Sequence, residues 1–177
     1  KVPNTTRRRL FGVSHGSGYQ LALVDLPGFQ RPMDPLTERM QKTVDASFDD
    51  VDAVLLVVDA RAHIGAGDRF VARRVFGLEK PVVIALNKVD LMAKGDLLPR
   101  IAGMAERKLA ADIVPISAAT GENVDRLQDV LLSHLPEGQP LFPDDYLTDQ
   151  PERFFAAELV REQVLRHTHA ELPFSTA

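Results

Sequence analysis

The chain has 177 residues, 45% of them hydrophobic and 26% charged, the composition of a domain able to bury a substantial core. It has no cysteine, which excludes disulfides and thiolate zinc sites and fits a reducing cytosol. The longest apolar run falls well short of the ~20 residues that span a bilayer, the basic start lacks the apolar core of a signal peptide, and a formal charge of −4 argues against a nucleic-acid surface covering the whole molecule while allowing a local basic patch.

From the N-terminus, residues 1–9 are polar and basic, ending in Thr5-Thr6-Arg7-Arg8-Arg9. The arginines read equally as a solvated strand edge or as an RNA or phosphate contact. Leu10 to Val13, a turn at Gly16-Ser17-Gly18 and Tyr19 to Asp25 predict a β-hairpin whose second strand is the better buried. Asp25 runs into Leu26-Pro27-Gly28-Phe29, and Asp34 and Pro35 then open a helix whose Leu36, Met40, Val44 and Phe48 recur at helical spacing to about Asp49. The apolar run Val51 to Val58 closes on Asp59, and a helix is expected near Asp68 to Phe76, terminated by Gly77.

The third apolar run, Pro81 to Leu86, closes on Asn87-Lys88-Val89-Asp90. A helix is expected from about Asp96 to Ala110, with Pro99 tolerable only in its first turn. The strand Ile113 to Ile116 then runs into Ser117-Ala118-Ala119. Asn123 is expected to cap a helix with Val124, Leu127, Val130 and Leu131 on its apolar face, ending at Leu135-Pro136-Glu137-Gly138. Strands starting about thirty residues apart have the rhythm of right-handed βαβ units, so the fold class is α/β with a doubly wound, mostly parallel sheet.

A buried strand ending in an amide, a lysine and a carboxylate puts polar groups at the carboxyl edge of a parallel sheet, where open α/β folds bind ligands. Asp90 is placed to accept two N–H donors from one planar edge. Guanine offers that pair at N1 and N2, and adenine does not. Asn87 is suited to brace the neighbouring loop, and the stem of Lys88 to lie under a base with its charge toward solvent. Alone, four polar residues after a strand are more often an ordinary loop. Here two more strand ends carry companions, Asp25-Leu26-Pro27-Gly28 and Ser117-Ala118-Ala119.

With these three stretches the sequence resembles the P-loop GTPases, whose third, fourth and fifth nucleotide motifs read Asp-x-x-Gly, Asn-Lys-x-Asp and Ser-Ala-x in this order. The resemblance implies GTP and GDP as ligands, with Mg2+. Asp25 would hold the magnesium through water, and the Gly28 N–H would sense the terminal phosphate. Ser117 and Ala118 would brace the base loop, with the Ala118 N–H donating to guanine O6. The Thr-Thr-Arg stretch resembles an effector loop, in which Thr6, with Thr5 as the register alternative, would meet the magnesium and terminal phosphate. Phe29 stands where many small GTPases place a water-orienting glutamine, so intrinsic hydrolysis is expected to be slow or to depend on a group supplied elsewhere, and no catalytic residue is assigned.

Residues 139–151 are rich in proline and acid and read as an interdomain linker. Beyond them Phe154, Phe155, Leu159, Val160, Val164 and Leu165 form a helical stripe opposite Glu158, Arg161, Glu162 and Arg166, which assigns Phe154 and Phe155 to a core. His167-x-His169 reads as surface rather than metal site. Phe142-Pro143-Asp144-Asp145-Tyr146-Leu147-Thr148-Asp149, followed by Arg153, Phe154, Glu158, Arg161, Glu162 and Glu171-Leu172-Pro173, is similar to the junction and first helix of the KH domain in the Era branch of these GTPases.

That resemblance implies a GTP-binding domain over 1–138, a linker over 139–151 and the start of a KH RNA-binding domain over 152–177. It also implies a GTP-hydrolysing switch that binds small-subunit ribosomal RNA and acts in assembly of the small ribosomal subunit, as a cytoplasmic monomer with peripheral association at the inner face of the membrane left open. The alternatives are a non-catalytic RNA-binding or scaffolding module, and a related GTPase of tRNA modification or large-subunit assembly, against which the Pro143-Asp144-Asp145-Tyr146 stretch weighs. The Gly-x-x-x-x-Gly-Lys-Ser phosphate loop with the strand before it and the KH Gly-x-x-Gly loop are both missing from the 177 residues. The chain therefore reads as an internal fragment lacking the first strand of its sheet, expected by itself to fold poorly and to bind no GTP.

Overall fold

The computed structural model describes residues 10–26, 48–62, 65–106 and 110–167. The chain divides into two compact units, Lys1–Gly28 with Pro140–Ala177, and Phe29–Gln139. The break at 139 lies next to the expected domain end at 138, but the hairpin, assigned from sequence to the first domain, groups with the C-terminal segment.

In the unit Phe29–Gln139, strands β3 (Val54–Asp59), β4 (Val82–Asn87) and β5 (Asp112–Ile116) form a parallel sheet in the order β3-β4-β5. Five consecutive residues of β4, Val82 to Leu86, are buried. Such a run without alternation belongs to a strand covered on both faces. Helix α1 (Ala66–Val75) begins two residues before Asp68, because that carboxylate is a first-turn acid reaching back to the Gly65 N–H at 2.8 Å. Helix α2 spans Lys94–Ala105, which puts Pro99 in its second turn rather than its first. One backbone hydrogen bond is forgone there, and the packing of Leu97, Ile101 and Met104 against Ala60, Leu86 and Val89 holds the helix in place.

Helix α3 (Val124–Ser133) follows Asn123 as expected, but Asn123 is not a side-chain cap. Its backbone is left-handed at φ 58°, and its amide instead donates to the Pro115 carbonyl at 2.9 Å. Leu127 and Leu131 are buried, whereas Val124 is exposed. Of the helix expected to end near Asp49, residues 34–47 lie outside the described residues. Phe48 and Asp49 are helical and Phe48 is buried, and the Lys80 ammonium donates to the carbonyls of Asp49 and Val51 at 2.8 and 2.6 Å, a cation satisfying carbonyls where helical backbone ends.

In the other unit, β1 (Leu10–Gly16) and β2 (Tyr19–Asp25) pair antiparallel from Leu10↔Asp25 to Gly16↔Tyr19. Gly18, at φ +80°, supplies the conformation that the tight turn needs. The expected burial is reversed: Leu23 on β2 is exposed, while β1 is covered by the segment read as a linker. Val13 N–H donates to Leu147 O at 2.8 Å, Gly12 bridges to Thr148, and Thr148 Oγ1 donates to Phe11 O at 2.6 Å. Gln20 accepts from the N–H groups of Leu141 and Phe142 at 2.9 and 3.1 Å and donates to Phe142 O at 2.6 Å. His15 Nε2 meets Tyr146 O at 2.7 Å, and the rings of Phe11, Phe142 and Tyr146 cluster with centroids 5.1–6.4 Å apart. Residues 141–148 are therefore a strap on the hairpin. Proline and acid concealed this, because the strap bonds through its backbone and three aromatic rings.

Helix α4 spans Glu152–His167. The sequence places its phenylalanines in a core, but Phe155 is 46% exposed, as are Leu159 at 61% and Val160 at 65%. An amphipathic pattern shows which face seeks cover but not what supplies it, and no described residue buries these three. His169 lies outside the described residues.

Candidate guanine-base site

The parallel register brings Asp59, Asn87 and Ile116 into one row at the carboxyl edge of the sheet. Three loops leave from that row, and the side chain of Asn87 joins two of them. Its Oδ1 accepts from the Lys88 N–H at 2.8 Å and from the Ala118 N–H at 3.0 Å. Lys88 has φ 71°, a left-handed conformation that costs a non-glycine residue about 1–2 kcal/mol. It is held by the Asn87 bond and by the 3₁₀ turn Val89–Leu91, in which Leu91 N–H donates to Lys88 O at 3.1 Å. Val89 is buried against Leu86 and Ala60, so the turn faces Asp90 outward. The Asp90 carboxylate is exposed and accepts no hydrogen bond among the described residues.

Ser117 is fully buried. Its N–H donates to Glu122 O at 3.0 Å, its carbonyl accepts from Gly121 at 2.9 Å, and its Oγ accepts from Thr120 N–H at 3.2 Å. This closes the loop 117–122 on itself, with Gly121 at φ +83° making the reversal. Ser117 is thus the anchor of the loop that carries Ala118.

One side-chain expectation is corrected. The Lys88 ammonium does not point to solvent but bonds to the carboxylate of Asp59, since the parallel register sets that acid beside the start of its loop. The exposed Ala118 N–H donates to Asn87 Oδ1, which ties its loop to the Asn87 turn. Asp59 also accepts from Arg61, through the backbone N–H at 3.0 Å and the guanidinium at 3.3–3.4 Å. Together the hydrogen bond from Lys88 and those from Arg61 hold the Asp59 carboxyl well below the usual carboxylate range. Sequence reasoning passed over Asp59 as a mere strand end. The signal was available, because it closes an apolar run as Asp25 and Asn87 do.

Of the sequence-predicted residues, Asn87, Lys88, Asp90, Ser117 and Ala118 therefore come together. Asp25 is an exposed carboxylate at the end of β2, in the other unit. Thr6, Gly28 and Phe29 lie outside the described residues. Among the described residues no group of three or more His, Asp and Glu side chains is placed to hold a metal ion. The assembled loops present one exposed carboxylate on a turn fixed from below, which suits two parallel N–H donors on a planar ring.

The chain belongs to the family of the elongation factor Tu GTP binding domain, whose sequence profile matches residues 4–137. It is a Ras-like GTPase domain by fold. Among individual proteins it is similar to GTPase Era of Geotalea uraniireducens, 40% identical over 175 residues, and to GTPase Era of Geobacter metallireducens, 41% identical over the same length. Each match covers 99% of this chain and 59% of the relative, so the chain spans about three-fifths of the length of these relatives. Among solved structures it is similar to Era in complex with MgGDPNP and a segment of 16S ribosomal RNA, with TM-score 0.87 and 36% identity over 97% of this chain and 59% of that one. A variant of Aquifex aeolicus Era bound to GDP and aluminium fluoride superposes with TM-score 0.86, at the same identity and coverage.

Proposed function

We propose that this chain is the base-recognition part of a GTP-binding and GTP-hydrolysing switch that uses Mg2+, binds small-subunit ribosomal RNA and acts in assembly of the small ribosomal subunit. The observation that carries the nucleotide reading is the Asn87-braced turn with its outward carboxylate at Asp90. The likeness to an Era structure holding MgGDPNP and 16S ribosomal RNA supports the ligand and the RNA partner. Asp25, exposed at a strand end, fits a hydrated magnesium held through water, an ion that keeps several of its waters when bound. The metal would neutralise phosphate charge, with Thr6 as the second proposed ligand. Gly28 and Phe29 are proposed to lie at the terminal phosphate. Ala118 N–H would share itself between Asn87 Oδ1 and the guanine carbonyl. A cytoplasmic, monomeric protein is proposed with this role.

The test is Asp90→Asn in the full-length protein. Loss of hydrogen bonds to a charged acceptor should weaken GTP binding by ~1.5–3 kcal/mol. Xanthosine triphosphate should bind better, because its C2 carbonyl accepts from the new amide. Unchanged affinity for both nucleotides, read by calorimetric titration, would remove Asp90 from the base site.

A further inference from the structure

We propose that Asp59 is a positioning residue of the base site, holding the Lys88 ammonium so that the lysine stem is laid across the face on which a guanine stacks. The inference rests on the guanine-nucleotide reading above. The origin of the Lys88 side chain is set by its left-handed backbone and the Asn87 bond. Its far end is set by Asp59. A flexible stem pinned at both ends has surrendered its rotamer freedom before a ligand arrives, so less is lost on binding.

The carboxylate doing this is itself unable to swing away. Lys88 takes Oδ2, and the Arg61 backbone and guanidinium engage both oxygens. The loop behind it is fixed as well. Ala60 is wholly buried against Leu86 and Val89, and its N–H donates to Asn87 O at 2.8 Å. From α2 the Arg100 guanidinium donates to Ala62 O. The loop leaving β3 is thus tied to the loop leaving β4 by backbone, packing and charge. A bland role exists for Asp59, closing the turn at Arg61 through Oδ1, and it needs no lysine.

A double-mutant cycle separates the two roles. In the full-length protein, GDP and GTP are titrated into the parent, Asp59→Asn, Asp59→Glu, Lys88→Met and the Asp59→Asn/Lys88→Met pair. Asp59→Asn should weaken both nucleotides alike, by roughly two- to fivefold, the scale of a partly exposed ion pair. Asp59→Glu, which keeps the charge, should restore most of the affinity. With Lys88→Met already present, Asp59→Asn should change nothing further. Equal losses in both backgrounds, or a loss confined to GTP, would overturn the inference and leave the nucleotide reading standing. A parent that binds neither nucleotide would overturn both. If Asp59→Asn does not unfold cooperatively, Lys88→Met alone decides, because it leaves the Asp59 turn intact and parent-like GDP affinity there refutes the inference.

Discussion

Around Asn87 the loops are held by groups that sit at neighbouring strand ends, whereas the β1–β2 hairpin is held by side chains reaching far along the chain. Gln20 and Phe142 are 122 residues apart in sequence, and Thr148 and Phe11 are 137 apart. In the first region a parallel sheet does the positioning: apolar runs set the strands, the register aligns their ends, and whatever polar residue closes each run falls at the site. In the second, single polar side chains and three rings fasten an irregular segment to a hairpin edge, which is also how an exposed β-edge is covered. One arrangement depends on pattern and the other on individual partners, so the two should fail differently.

Core loss should separate them most sharply. In the full-length protein Leu86→Ala empties a fully buried position against Ala60 and Val89 and should cost ~2–5 kcal/mol, seen in urea denaturation, with nucleotide binding weakened through the displaced turn and amide protection of the strap at 141–148 unchanged. Loss of that protection too would break the comparison.

Next in size is Gln20→Ala, which deletes three hydrogen bonds to the strap. About 1–3 kcal/mol is expected, toward the lower figure because the bond from Leu141 is exposed. In the full-length protein, faster amide exchange at Leu141 and Phe142, with GTP affinity unchanged, is the expected result. Unaltered exchange would assign the strap to its aromatic cluster instead.

Thr148→Val keeps the shape and removes the donor to Phe11 O. A loss of about 1 kcal/mol should appear in urea denaturation. A neutral result would mean that water replaces the bond.

The smallest effect is electrostatic. Asp59 titrates below the ordinary value of 3.8, so its folded form binds its proton less readily than the unfolded one. Its contribution to stability is present above 3.8 and is lost as pH falls through the lower folded value. Carboxyl NMR about one unit below the ordinary value should find Asp59 still ionised, and Lys88→Met should move its titration upward. Titration at the ordinary value would dissolve the pair on which the inference rests.

Much of the parallel-sheet region was legible beforehand, because continuous apolar runs such as Val82 to Leu86 are unusual outside strands covered on both faces. Boundaries were less legible. The pattern starts α1 at Asp68, which sits two residues inside its first turn, and confines Pro99 to a first turn, although α2 carries it in the second, since tertiary packing outweighs a single missing hydrogen bond. The strap was not legible at all. Nothing in the spacing of Phe11, His15 and Gln20 signals that they share a partner segment.

By itself the sequence determined the α/β class and the strand-end placement of Asn87, Lys88, Asp90, Ser117 and Ala118, because hydrophobic periodicity and chain direction are local properties. Tertiary structure decided that Lys88 turns to Asp59, that Asn123 grips Pro115 instead of capping its helix, and that residues 141–148 lie on the hairpin. Each of those depends on which polar groups the fold brings within about 3 Å of one another, a distance that separation along the chain does not encode.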